Sequence, residues 1–418
     1  MNSSTGQYLH ESGAVFGLAP LLTQAFCGTD LAPLANRLIE DARRHRNANT
    51  LLDLSIVLEL LRKREPALAI QGDALKMAQS FRITSAPAEE TLRLLVIKAP
   101  GDLSSNTPIE FLLEGSSISV ELLFIGPAHP LPEVIPEHDL LFVAIAESKE
   151  NRPVLEYLDQ RLASWPRAYL NHPREILKLE RGSACRILSS IPGVVMPHTQ
   201  QINRRTLERI VHGESLLDAT GVVGGFPVIV RPVDSHAGRG LIKAESIADL
   251  RSYLDDRSDS DFFISRFVDY SSEDGLFRKY RIVLIEGKPF LCHMGISNHW
   301  MVHYPYQEMI ESTARRAEED LAMTTFAEGF AQRHQNALAA IQEEIQLDYF
   351  GLDCAEDTNG NLVIFEVASA MLVHAMDSPE IFPYKAAQMQ KVFGAFRNTL
   401  EKRHRPKSAA LPLHLRRN

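Results

Sequence analysis

The sequence predicts an α/β protein in three successive parts, followed by a basic tail over 404–418. The parts are an N-terminal helical segment over 1–88, a small open α/β domain over 89–168, and a larger α/β domain over 169–403. Three observations carry this. Apolar residues recur at three- and four-residue spacing near the start, uninterrupted apolar strand runs follow, and the remainder holds strand–turn–strand stretches carrying charged residues. A length of 418 residues suits two or three domains.

The formal net charge of -9 argues against a general nucleic-acid binder and for small-molecule partners. The four cysteines, Cys27, Cys185, Cys292 and Cys354, lack CxxC spacing, so they suggest neither a zinc knuckle nor a disulfide framework. No apolar run approaches membrane-spanning length, and MNSSTGQYLHESG lacks a basic region followed by an apolar stretch. A cytoplasmic protein with no membrane partner is expected, and a homodimer stays open.

Taken in order, Leu34, Leu38 and Ala42, then Leu51, Leu54, Val57, Leu58 and Leu61, place helices after Leu31. Beyond Pro66, the residues Ala67, Ile70, Ala74, Met77 and Phe81 predict another helix running through Phe81. The pairing resembles a tetratricopeptide-like hairpin, but no second copy follows, so a structural cap is expected. Leu92–Ala99, VELLFIG and LLFVAIAES are buried-strand runs. The loop from Pro100 to Asn106 reads equally as a sheet connection or as a ligand contact at a strand's carboxyl end. Helices are expected over Asn151–Ala163 and over Glu175–Ser190, the second carrying Arg181 and Arg186.

Phe226–Leu241, FPVIVRPVDSHAGRGL, reads as strand, flexible loop, strand. Arg231 ends the first strand with a fixed positive charge. In the loop, His236, Ala237, Gly238 and Gly240 are small or polar, and the glycines let backbone N–H groups approach an anion. Tyr349–Val367, YFGLDCAEDTNGNLVIFEV, reads as a hairpin turning at Asp357–Asn361. Its strands bring Asp353 near Glu366, and two carboxylates among apolar neighbours call for a cation, for which magnesium (Mg2+) is the natural candidate.

In this order the residues resemble the ATP-grasp superfamily, in particular carboxylate-amine ligases of the glutathione synthetase and D-alanine:D-alanine ligase type. The resemblance covers roughly Leu170–Glu401 and implies ATP and Mg2+ as cofactors. It implies that the loop from His236 to Gly240 covers the phosphates and that Arg231 binds them. Arg266, Phe267, Val268 and Asp269 would hold adenine and ribose, and Arg186, preferred over Arg181, would reach a phosphate. Arg281, in KYRIVLIEGKPF, would contact the transferred phosphoryl group, with Asp353 and Glu366 as metal ligands. The chain departs from the family at Arg231, where lysine is usual, and at Ala368, where asparagine is usual. Ser369 or water would then substitute at the metal, or the second metal would be held less tightly than usual.

In LCHMGISNHWMVHYPY, His293, His299 and His303 share one parity along an extended strand. Zinc is disfavoured because no cysteine or carboxylate is interleaved at ligand spacing, so packed histidines or substrate contact are expected, with Asn298 and His303 as substrate candidates. Helices follow over Gln307–Gln346, broken near Thr324, and over Ala386–Arg403, and His374 falls in an irregular stretch that reads as a packed loop in preference to a group closing the site from the far side. The function this implies is ATP-dependent ligation of a small-molecule carboxylate and an amine through an acylphosphate. The alternatives are a small-molecule kinase and a catalytically degenerate nucleotide-binding scaffold.

Overall fold

The computed structural model describes residues 14–83, 90–214, 225–233, 238–302 and 307–404. It is mixed α/β, as expected, and the chain divides into two compact units. The first comprises Met1–Ile176, Ser369–Ser378 and Met389–Asn418, and the second Leu177–Ala368 and Pro379–Gln388. This division joins the N-terminal helices to the small α/β domain and assigns most of the last helix, Lys385–His404, to the first unit. Among the described residues no helix is long and apolar enough to cross a membrane.

The first unit is built on a six-stranded sheet. Its strands are β1 (Ala14–Val15), β2 (Ser80–Ile83), β3 (Leu92–Lys98), β4 (Ile118–Phe124), β5 (Leu140–Val143) and β6 (Tyr169–Leu170), in the order β1-β2-β4-β3-β5-β6. All neighbours are parallel except β2 with β4. Leu94, Leu95, Val96 and Ile97 of β3 are buried, which is why this run reads as uninterrupted apolar text. Phe81 corrects the helical expectation. The helix stops at Met77, and Phe81 enters β2 opposite Leu122, its ring edge-on to Phe124 at 5.9 Å. Methionine and phenylalanine four residues apart suit a helix, but pairing with a sheet edge wins at this position.

Helices Leu18–Phe26, Ala32–Arg44, Ala48–Leu60 and Arg64–Met77 share a core around Leu34, Leu38, Leu54 and Val57. They hold the loop after β3. Gln71 donates to the Gly101 carbonyl at 2.9 Å and accepts from its N–H at 2.8 Å, Glu59 accepts from Leu103 N–H, and Arg64 pairs with Asp102. Gly101, at φ 152°, has no room for a Cβ, which would collide with the Ser105 hydroxyl. Within the first unit the loop is a packed connection. His374 likewise packs against the rings of Phe26 and Phe111, as expected.

The second unit has two sheets. One orders β10 (Ile242–Ala244), β9 (Val228–Pro232), β11 (Asp261–Arg266) and β8 (Thr199–Asn203), all antiparallel. The other orders β13 (Lys288–Ser297), β12 (Phe277–Ile285), β14 (Tyr349–Glu356), β15 (Leu362–Ala368) and β7 (Val194–Val195), antiparallel except β15 with β7. The helix expected over Glu175–Ser190 is broken. Glu180 caps a fresh helix, Arg181–Leu188, by accepting from the N–H groups of Gly182 and Ser183. Leu338, Ile341 and Ile345 form the buried face of the helix Gln335–Ile345, as their spacing predicts.

Candidate functional site

The turn at Asp357–Asn361 sets the register of the β14–β15 hairpin. Asp357 accepts from the N–H groups of Asn359 and Asn361 and from the Asn361 side chain, and Gly360 sits at φ 77°. Counting back from the turn, Cys354 falls opposite Ile364, and one extra residue in β15 then sets Asp353 opposite Glu366. The register shifts immediately beyond this pair, so Phe365 is an extra residue in β15. A second shift falls beside Arg281, where Cys292 is extra in β13. Both irregularities lie at site residues, where bulges re-aim side chains.

Asp353 is 2% exposed. Its Oδ1 accepts from Arg281 Nε at 2.8 Å, and its Oδ2 accepts from Arg281 Nη2 at 3.0 Å and from Lys279 Nζ at 2.7 Å. Burial alone would raise its pKa, but Lys279 and Arg281 hold it well below the usual carboxylate range. Burial would also lower the Arg281 guanidinium, and Asp353 with Glu366 instead raises it. Glu366 is exposed, and its charge also acts on Arg231.

Arg231 lies opposite Phe263 across β9 and β11. Its guanidinium carbon is 5.5 Å from the centre of that ring, and the guanidinium carbon of Arg181 is 5.6 Å from it. Arg231 Nε is buried with no hydrogen-bond partner among the described residues. Burial and the neighbouring Arg181 lower the Arg231 pKa to about 10, against the opposing pull of Glu366. Arg186, expected to reach phosphate, is instead exposed and donates to the Ser183 hydroxyl three residues earlier. The helix restart at Glu180 explains this, since it places Arg181 in the first turn and Arg186 in the last.

The hinge residues Arg266, Phe267, Val268 and Asp269 line a pocket of about 600 Å³, together with Val195, Pro197 and His198 and the hairpin turn. Among the described residues the backbone N–H and C=O of Val268 make no hydrogen bond, so both remain for a ligand. Asp269 accepts from Ser271 N–H. Lys243 stands 4.1 Å over the Phe267 ring, and the Trp300 ring meets it edge-on at 5.9 Å. Asn298 is exposed and its N–H is held by Glu308, so it belongs to the stretch that brings Trp300 to the hinge.

Gly238 and Gly240 both adopt φ 70°. The Gly240 carbonyl accepts from Tyr253 at 2.7 Å, which fastens this end of the loop to the helix Ile247–Asp255. His236, Ala237 and His303 lie outside the described residues. The shared parity of the histidines does not extend to His299, which follows the end of β13 and accepts from Met301 N–H. Among the described residues no three histidine, cysteine or acidic side chains are grouped to hold a metal.

The pair expected to bind Mg2+ fits it poorly. Both Asp353 oxygens are taken by protein cations, and Ala368, opposite Gly351, offers no side-chain donor. Ser369, the expected substitute, has its carbonyl accepting from Thr107. Lys279 is the site residue that the sequence reading missed. The signal was present, because Lys279 and Arg281 share one face of a strand that pairs with the acidic hairpin.

No protein-family model matches the chain, and no curated protein matches it. Among solved structures it is similar to the D-alanine–D-alanine ligase of Bacillus anthracis complexed with ATP, at 16% identity and TM-score 0.45, over 75% of this chain and 98% of that one. It is also similar to the VanG D-Ala:D-Ser ligase of Enterococcus faecalis, at 13% identity and TM-score 0.43, over 73% of this chain and 100% of that one. A third is a RimK domain ATP-grasp protein of Sphaerobacter thermophilus, at 14% identity and TM-score 0.40, over 73% of this chain and 98% of that one. An ATP-grasp protein is among the solved structures to which the chain is similar.

Proposed function

We propose that this protein is an ATP-dependent ligase that joins a small carboxylate to an amine, an amino acid or short peptide, through an acylphosphate, releasing ADP and phosphate. One observation carries the nucleotide part of this reading. Lys279 and Arg281 pair with Asp353, Arg231 is acted on by Glu366 and shares the Phe263 ring with Arg181, and the Arg231 Nε is buried and unpartnered among the described residues. A buried guanidinium N–H without an acceptor is costly, and a polyphosphate would offset that cost. The nearby hinge pocket, with the backbone groups of Val268, suits a flat heterocycle that pairs with one donor and one acceptor. The reaction class rests on the ordered resemblance in sequence.

In this reading an incoming carboxylate and the terminal phosphate repel one another until cations neutralise them. Arg231 and Arg181 hold phosphate from β9 and the helix Arg181–Leu188. Lys279 and Arg281, fixed by Asp353, present their outward N–H groups where charge develops during transfer. No protein nucleophile is needed. The carboxylate oxygen attacks the γ-phosphorus, ADP leaves, and the amine then displaces phosphate from the acyl carbon as it loses a proton.

The test supplies ATP with pools of carboxylates and amines and follows products by mass. A condensed product that needs both pools, formed with stoichiometric ADP, is expected, and Arg231→Ala should reduce it at least about tenfold. A phosphorylated compound that accumulates without amine would replace this reading with a kinase. ATP bound without any turnover would replace it with a scaffold.

A further inference from the structure

Asp353 already has two cations, Lys279 and Arg281. We infer that the Lys279 ammonium occupies the position at Asp353 and Glu366 that a protein-bound divalent metal would take, so that this site neutralises phosphate with its own side chains. The argument is one of charge and space. Asp353 and Glu366 carry two negative charges, and Lys279 and Arg281 carry two positive ones, so the four sum to zero. Adding Arg231 and Arg181 leaves the cluster at two positive charges, a field that draws an anion and repels a free cation.

Space agrees. Arg281 spans both Asp353 oxygens, and Lys279 sits 2.7 Å from Oδ2. A divalent ion on that oxygen would lie about 4 Å from Nζ. At that separation the two cations repel strongly in a partly desolvated site. Lys279 would have to swing away first, leaving its ammonium to be solvated elsewhere. Glu366 alone remains for a metal, and one exposed carboxylate is a weak ligand set. Lys279 is therefore a phosphate-facing residue that Asp353 positions. A metal chelated by the nucleotide would arrive as part of the substrate. The inference about Asp353 stands without the ligase reading, and only the role of Lys279 toward phosphate rests on it.

The experiment titrates the full chain with Mn2+ in the absence of nucleotide and follows free Mn2+ by electron paramagnetic resonance. Wild type should show no Mn2+ site that depends on Asp353. Lys279→Met should create one, raising Mn2+ affinity about tenfold or more, and Lys279→Met/Asp353→Asn should remove it. Lys279→Gln is the second variant should the first fail to fold. A wild-type Mn2+ site abolished by Asp353→Asn would overturn the inference, as would folded Lys279 variants with wild-type Mn2+ affinity. A parallel ATP titration in EDTA separates the two readings. Wild type should bind ATP there and Lys279→Met should lose at least about tenfold, restored by Mn2+. Failure of ATP to bind under any condition would reject the nucleotide reading and leave the Mn2+ result to decide this one.

Discussion

Two buried aspartates, one in each unit, show how one side chain takes opposite characters. Asp53, fully buried in the helix Ala48–Leu60, accepts from the N–H groups of Phe16 and Gly17 at 2.9 and 3.2 Å. Burial raises its pKa to about 7, the two amides pull it down only in part, and nearby Glu110 adds to the rise. Asp353 is equally enclosed, yet Lys279 and Arg281 hold it ionised far below its ordinary range. Backbone dipoles can satisfy a buried carboxyl's hydrogen bonds, but only full charges repay the ionic form. The first arrangement fastens an N-terminal segment. The second holds two cations on Asp353, with the charge of Glu366 also acting on Arg281.

The largest expected effect comes from stripping Asp353 of its bidentate partner. Arg281→Ala should cost about 3–5 kcal/mol in chemical denaturation at neutral pH, because it leaves a buried carboxylate under-compensated. The same change in an Asp353→Asn background should cost clearly less. Equal costs in the two backgrounds would mean that the pair does not govern stability.

The pH dependence of Asp53 is the next effect in size. Folding raises this pKa from 3.8 to about 7, so the folded state binds the proton more tightly than the unfolded chain does. Its stabilisation is complete below the unfolded value and is lost as pH rises through that window, by up to about 4 kcal/mol. Asp53→Asn should therefore match wild type near pH 4 and exceed it near pH 8. Denaturant midpoints across that range provide the check, and parallel curves for the two proteins would contradict the comparison.

The smallest effect expected separates the two arginines of one helix. Arg186→Ala should change stability by less than about 0.5 kcal/mol and leave nucleotide affinity unaltered. Arg181→Ala should weaken ATP about tenfold, in keeping with its place over the Phe263 ring. Calorimetric titration of both variants reads this directly.

The hairpin was legible because its chemistry is local. A turn of Asp, Thr, Asn, Gly and Asn fixes the adjacent register by its own hydrogen bonds, which brings Asp353 close to Glu366, and the extra residue Phe365 then sets the two directly opposite. The Arg281–Asp353 contact needed the pairing of β12 with β14, strands more than sixty residues apart, and no sequence period encodes such pairing. The bulges at Cys292 and Phe365 were hidden because one extra residue in an apolar run changes no pattern. The restart at Glu180 was hidden because glutamate is an uncommon cap, and its capping bonds appear only once the chain turns there. Phe81 was misplaced because its spacing satisfied a helix while its partner Leu122 lay far along the chain.

The claim that the cluster around Glu366 is built for a polyphosphate is tested most directly by titrating ATP and adenosine separately into wild type and Arg231→Ala. Both ligands offer the same base and ribose to the hinge, so their difference isolates the phosphates. Wild type should bind ATP far more tightly than adenosine, and Arg231→Ala should weaken ATP at least about tenfold while leaving adenosine unchanged. ATP binding no tighter than adenosine in wild type, or equal loss of both ligands in the variant, would contradict the account.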